Sequence, residues 1–282
     1  MSHPFTLVDV FGTDPFTGNA LAVIAQAEPL SAEEMQRITR WLNLAETTFL
    51  LAPTHPDADY RVRIFSRSHE LPFAGHPTLG TCHAWLEAGG TPKRSGSVVQ
   101  ECGAGLVTVR QDGAGLAFAA PPLIRSGSPS EHELAEVAAV LRIDRAAILD
   151  AAWADNGPGW IAILLDSAAA VLAVEPAHSH HRHINIGIVG PHPTGADATF
   201  ELRAIHSVPG GGLTEDPVTG SLNASVGQWL FATGRAHGRY IATQGTRLDR
   251  TGRITVTQDE QGQVWVGGKT LTLFTGHGPH LC

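Results

Sequence analysis

At 282 residues the chain is long enough for one large domain or two of about 140 residues, with a sizeable buried core in either case. A formal net charge of -8 excludes a general nucleic-acid binder, which would show a basic face. No apolar run approaches the ~20 residues of a membrane span, and Met1-Ser2-His3-Pro4-Phe5 opens no basic-then-apolar leader, so the expected compartment is the cytoplasm.

The first predicted elements are a strand over residues 6–11, a turn at Gly12-Thr13-Asp14-Pro15 and a returning strand over 19–24. Ser31-Ala32-Glu33-Glu34 is a capping box, and Met35, Ile38 and Leu42 follow at helical spacing, which predicts a helix ending near Asn43. Strands over 47–51 and 60–65 come next. A helix starts at Gly75, runs to about Ala88 and stops at Gly89-Gly90; residues 97–100, 105–110 and 116–119 read as a meander. Pro121-Pro122 through Pro129 is the expected junction between halves over 1–120 and 121–268, with 269–282 a closing strand that has a return to the first half as one option.

The second half repeats the programme. Ser130-Glu131-His132-Glu133 is another capping box, with Leu134, Val137 and Leu141 on one helical face. Strands are predicted over 160–165, 184–189 and 200–205. A helix from Gly220 carries Val226, Trp229 and Leu230 and ends near Gly234; strands over 253–258, 263–266 and 269–274 close the chain. Strands followed by a helix in each half predict an α+β protein with mixed or antiparallel sheets around a central helix, not βαβ alternation. No strand leads into GxGxxG or GxxxxGK[ST], so dinucleotide and nucleotide phosphate motifs are absent.

The most informative feature is a duplicated acid-x-Pro-x-x-Gly turn. Glu70-Leu71-Pro72-Phe73-Ala74-Gly75 is followed by His76-Pro77-Thr78, and Glu215-Asp216-Pro217-Val218-Thr219-Gly220 by Ser221-Leu222-Asn223. The copies stand about half a chain length apart, as in a duplicated fold that aims two Gly-rich helix N-termini at one cleft. Such termini carry unpaired N–H groups and the positive end of a helix dipole, so they favour a carboxylate or phosphate.

Four strings in order then carry a resemblance: Val8-Asp9-Val10-Phe11 with Gly18-Asn19-Ala20-Leu21-Ala22-Val23; Leu44-Ala45-Glu46-Thr47-Thr48-Phe49; Glu70 through Gly80; and Glu215 through Ser221. Over nearly its whole length the chain resembles the PhzF-like, phenazine-biosynthesis family of the diaminopimelate-epimerase-like fold. The resemblance implies two pseudo-symmetric domains, each a barrel-like sheet around a central helix, with the active site between them. It implies a homodimer and a cofactor-independent isomerase that moves a proton within a small carboxylate, a dihydro-hydroxyanthranilate-type compound being one example. By motif match Glu46 is the proton shuttle, Asp216 the second carboxylate and His76 the imidazole, with Gly220 and Ser221 on the second turn. Two positions depart from the pattern: Ala45 stands where Ser is common, and Ser66-Arg67 replaces a frequent Thr-Pro.

The residues themselves agree with carboxylate chemistry. Epimerases of this fold use two cysteines, one at each helix N-terminus, but here Ala74 and Pro217-Val218-Thr219 occupy those turns. Cys82, Cys102 and Cys282 are too few and too scattered for a disulfide framework or a CxxC metal site and are expected as free thiols. The acid–base work then falls to Glu46, His76 and Asp216. Leu44, Ala45, Phe49 and Leu50 surround Glu46 with apolar neighbours, and burial raises a carboxyl pKa. Asp216 also reads as an N-terminal cap, and His76 alternatively as a structural histidine. Gly75 and Gly220 let a carboxylate approach the backbone, and Asn19 is counted with them and Ser221 as substrate-binding.

Other features are weaker. His178, His180, His181 and His183 could bind zinc or nickel, but without helical spacing or a Cys partner they read as a solvated loop with incidental metal affinity, and no metal site is expected. Gly210-Gly211-Gly212 reads as a flexible approach to Asp216, and Glu70 and Glu215 as helix-end or turn residues. A small-molecule carboxylate is the expected partner, with neither nucleic acid nor membrane. An amino-acid epimerase working from Glu46 and Asp216 is the alternative enzyme, and a non-catalytic binder of small carboxylates the alternative outside catalysis.

Overall fold

The computed structural model describes residues 3–112 and 115–278, a mixed α/β structure in two compact units, Met1–Ala119 with Gly267–Cys282 and Ala120–Val266. In unit 1, β1 (Pro4–Val10), β2 (Asn19–Ile24), α1 (Ala32–Leu42), β3 (Glu46–Leu51), β4 (Tyr60–Ser66), β5 (Glu70–Leu71), α2 (Gly75–Glu87), β6 (Ser97–Cys102), β7 (Gly105–Asp112) and β8 (Gly115–Ala119) follow in order. The capping box of α1 is formed, with Ser31 Oγ accepting from Glu34 N and the Glu34 carboxylate accepting from Ser31 N. β1 pairs antiparallel with β2, β2 parallel with β3, β3 antiparallel with β4, β4 antiparallel with β5 and parallel with β6, and β6 antiparallel with β7.

Unit 2 holds α3 (Glu131–Leu141), β9 (Asp150–Trp153), β10 (Trp160–Leu164), α4 (Ala168–Ala173), β11 (Asn185–Pro191), β12 (Phe200–Ser207), β13 (Leu213–Asp216), α5 (Gly220–Ala232), β14 (Arg239–Gln244) and β15 (Gly252–Gln258); β16 (Val264–Gly268) follows, and β17 (Thr270–His277), which belongs to unit 1, pairs antiparallel with β1. The ladder repeats strand for strand. β9–β10 is antiparallel, β10–β11 parallel, β11–β12 antiparallel, β12–β13 antiparallel, β12–β14 parallel and β14–β15 antiparallel.

α2 and α5 are buried almost all round, as expected of a helix wrapped by sheet rather than laid on a surface. A Cβ on Gly80 of α2 would stand 2.5 Å from Leu21 Cδ2 of β2, so only glycine lets the helix lie this close to the strand. Unit 2 makes the same close approach the other way round, with glycine on the strand (Gly187) and leucine on the helix (Leu222). Separate apolar clusters sit under the outer helices: Met35, Phe49 and Phe65 beneath α1, and Leu134, Val137, Ile163, Ile186 and Ile188 beneath α3.

Sequence patterning missed β9, α4 and β14. Asp150-Ala151-Ala152-Trp153 is alanine-rich and lacks strand propensity, and six residues of α4 are too few to show a helical period. In β14 the buried face carries Tyr240, Ala242 and the polar Gln244 while Ile241 lies on the other face, which blurs the alternation in sequence. Cys282 lies outside the described residues. Among those described, no helix is long and apolar enough to cross a membrane.

Candidate active site

In unit 1 the chain leaves β4 at Ser66 through a tight turn, Ser66 N donating to His69 O at 2.9 Å, and passes through β5 into α2. Ala74 precedes the helix in an extended conformation with no side-chain cap, so the Gly75 and His76 N–H groups open α2 without an intrahelical acceptor. Glu46 is the first residue of β3, held between Leu21 on one side and Ser66 on the other. Its Oε2 lies 3.5 Å from His76 Nε2, and its side chain is 19% exposed. Asn19, the first residue of β2 and buried, places Nδ2 3.4 Å from His76 Nδ1. Asp9 is buried behind it and accepts from Thr17 N at 3.0 Å, while a Cβ on Gly18 would stand 2.2 Å from Val10 O. Glycine at that position is what allows Asn19 to enter the cluster.

Two influences oppose each other on the His76 ring. Burial disfavours the charged ring and pushes its pKa down to about 3, even though the Glu46 carboxylate, which would favour a proton, stands 3.5 Å away. His76 is therefore neutral at physiological pH. With the Asn19 amide nitrogen toward Nδ1, that atom is an acceptor and Nε2 carries the proton, facing Glu46. A buried donor left unpaired costs on the order of 1–3 kcal/mol, a cost that an arriving acceptor removes. Cys82, two turns into α2, is fully buried and its thiol is pushed up to about 12, so it supplies no thiolate.

In unit 2 Asp216 ends β13 and Thr219 is the N-cap residue of α5, so Asp216 is not the cap that its place before Pro217 suggests. Its carboxylate instead accepts from Thr219 Oγ1 at 2.5 Å. The fully buried Gln244 fixes the turn: Nε2 donates to Asp216 O and Thr219 Oγ1, and Oε1 accepts from Thr219 N and Asn223 Nδ2. Gly220 opens α5. Ser221 Oγ accepts from Trp160 Nε1 at 3.2 Å, and Ser221 O from Asn156 Nδ2 at 2.9 Å. By strand register Asn185, first residue of β11, is the counterpart of Glu46. Its amide nitrogen donates to Pro158 O at 2.5 Å, and it has no proton to exchange as an acid.

Unit 1 thus brings Glu46, His76, Gly75 and Asn19 together, and unit 2 brings Asp216, Gly220 and Ser221 onto one turn. Trp160, Asn156, Asn185 and Gln244 were missed in the sequence, because long-range side-chain hydrogen bonds, and for Asn185 strand register, are all that relate them to the motif. Two further readings are corrected. Glu70 and Glu215 are strand residues gripped by arginines: Arg63 Nε and Nη2 each reach Glu70 at 2.7 Å, and Arg203 reaches Glu215 at 3.1 and 2.7 Å while also donating to Val171 O and Val174 O. Gly210 to Gly212 is no loose approach but a tight turn between β12 and β13, closed by Val208 N to Gly212 O at 2.9 Å with positive φ at Gly210 and Gly211.

The chain is similar to several known proteins. The antisense-enhancing sequence 1 protein of Schizosaccharomyces pombe is 34% identical, over 97% of this chain and 98% of its own. The trans-2,3-dihydro-3-hydroxyanthranilate isomerase of Pseudomonas chlororaphis is 31% identical, also over 97% and 98%. A PhzF-family crystal structure from Bacillus anthracis superposes with a TM-score of 0.81 at 20% identity, covering 99% of this chain and all of that one, a likeness of fold. Residues 8–276 match the family described as phenazine biosynthesis-like proteins, and the chain belongs to that family of isomerases.

Proposed function

We propose that the protein is a cofactor-independent isomerase in which Glu46 moves a proton within a small unsaturated carboxylate, a dihydro-hydroxyanthranilate-type compound being the leading candidate. The observation that carries this reading is the buried, neutral His76, whose unpaired Nε2 faces the Glu46 carboxylate at 3.5 Å. Glu46 takes a proton as one C–H bond breaks. The electron pair shifts through the conjugated substrate, and the same proton forms a C–H bond at another carbon, so atoms and charge balance with no co-reactant. His76 donates from Nε2 to the substrate oxygen that gains charge. Gly75 and the first turn of α2 take the carboxylate.

The alternative enzyme is an epimerase, and since Asn185, the register counterpart of Glu46, is an amide, its second base would be Asp216. The test is incubation in deuterium oxide with a panel of small carboxylates and amino acids, followed by NMR, with Glu46→Gln as control. Product with the proton moved to a new carbon, lost in the variant, supports the reading. Inversion with exchange at one centre favours an epimerase, and binding without exchange a non-catalytic carboxylate binder.

A further inference from the structure

Outside the cluster just described, unit 2 carries a grouping that strand and helix patterns do not reveal. Glu136 stands on α3, and the fold brings His180 and His181 to it from the segment before β11. One ligating atom from each of the three lies within 4.8 Å of the others. Ligands on a tetrahedral ion at bond lengths of about 2.0–2.1 Å stand roughly 3.3 Å apart, so these atoms need only small side-chain adjustments. His180 Nε2 is already 2.8 Å from Glu136 Oε1, and the His180 and His181 rings are 4.4 Å apart. His132, one helical turn before Glu136, lines the same surface pocket.

The three residues rest on firm backbone. Glu136 is mid-helix. His180 N donates to Gly211 O at 3.0 Å and Leu213 N donates to His178 O at 2.9 Å, which pins the histidine segment to the Gly210–Gly212 turn. The Glu136 carboxylate is held at present by His180 and by Arg182, whose Nε reaches Oε1 at 2.8 Å and whose Nη2 contacts Oε2. A cation is thus already drawn to this carboxylate, and Arg182, with 52% of its side chain exposed, can yield to a divalent ion by turning into solvent.

We propose that Glu136, His180 and His181 form a binding site for a divalent transition-metal ion of the zinc type, water completing its coordination. Two imidazoles and one carboxylate are a donor set that suits zinc, cobalt and nickel, not magnesium or calcium. Bound there, the ion fastens the His178–His181 segment to α3 and so braces the turn that leads into β13 and Asp216. The proposal is independent of the isomerase reading.

The test is calorimetric titration of the metal-free full chain with zinc chloride, together with the visible absorption of the cobalt(II) form. One ion per chain is expected, with cobalt bands of imidazole and carboxylate ligation. His180→Ala, His181→Ala and Glu136→Gln should each weaken binding by more than about tenfold. His178→Ala and His183→Ala, at exposed neighbouring positions, should leave it unchanged. A graded loss shared equally by all four histidines, or full binding in Glu136→Gln, would overturn the proposal in favour of a solvated histidine loop. If Glu136→Gln disturbs the segment by releasing Arg182, the exposed His181 still decides the matter, because its truncation removes a ligand and no hydrogen bond shown to hold the fold.

Discussion

Gly75 and Gly220 open helices of equal length, 13 residues each, and the strands around them pair in the same order in both units. What differs is the chemistry left available at the two openings. At α2 the polar groups are Glu46 and a buried imidazole with an unpaired Nε2. At α5 the equivalents are Asn185 and Ser221, an amide and a hydroxyl that both already have partners in unit 2. Gln244 further ties Asp216 and Thr219 into a closed set of hydrogen bonds. One scaffold thus carries a carboxylate beside a buried imidazole in one unit and a hydrogen-bonded polar turn in the other. The proposed acid–base chemistry rests on the first of these alone.

The largest effect that could break this comparison is on turnover. Glu46→Gln should lower kcat by about 10²–10⁴-fold with little change in thermal stability, as loss of a general base does. Asp216→Asn, on the hydrogen-bonded turn of unit 2, should lower kcat far less. Equal losses of kcat in the two variants would remove the asymmetry. Next comes stability. The Arg203–Glu215 pair is buried, with side chains 4% and 9% exposed, whereas Arg63–Glu70 at the matching place in unit 1 is 26% and 41% exposed. Arg203→Met leaves a buried carboxylate and should cost about 3–5 kcal/mol; Arg63→Met should cost under about 1 kcal/mol. Urea unfolding of both variants measures the contrast, and similar losses would mean that burial does not separate the two pairs.

A smaller effect distinguishes His76 from Ser221. The folded His76 pKa, about 3, lies below the unfolded value near 6.5. Well above pH 6.5 neither state holds the proton and the residue contributes no pH dependence. As pH falls from there toward 3, the unfolded chain takes up a proton that the native state refuses, so stability falls by up to about 1.4 kcal/mol per pH unit. His76→Asn should flatten that slope in urea titrations across this range, and Ser221→Ala should leave it as in the parent. An unchanged slope in His76→Asn would mean that the imidazole is already charged in the native protein.

Much of this architecture could be read from local pattern. The capping boxes at Ser31 and Ser130 and the paired acid-x-Pro-x-x-Gly turns use short-range geometry, and so they announce themselves in sequence. The Asn185 counterpart of Glu46 did not, because it is defined by strand register across residues far apart in the chain. The roles of Glu70 and Glu215 were hidden for a related reason. Each needs an arginine from the neighbouring strand, and a lone Glu before Pro looks like a turn residue. The Gly80 and Gly187 close approaches could not be placed either, since glycine on a helix in one unit and on a strand in the other leaves no common motif.

The finest comparison concerns how two helices end. α1 and α3 are both 11 residues long, both start in a capping box, and both finish in a left-handed residue at φ 56, Asn43 in one and Arg142 in the other. Asparagine tolerates that conformation because its short polar side chain bonds locally, whereas for other L-residues the approach of Cβ to the following carbonyl costs about 1–2 kcal/mol. Glycine removes that strain but frees the unfolded chain, which offsets roughly 0.5–1 kcal/mol of the gain. Arg142→Gly should therefore stabilise the protein by no more than about 1 kcal/mol. Asn43→Gly should change little or destabilise slightly, because it has no comparable strain to relieve and also loses the 3.4 Å contact from Arg67 Nη1 to Asn43 Oδ1. Paired urea melts resolve the difference, and a loss of stability in Arg142→Gly would show that the arginine makes up for its strained backbone through its side chain.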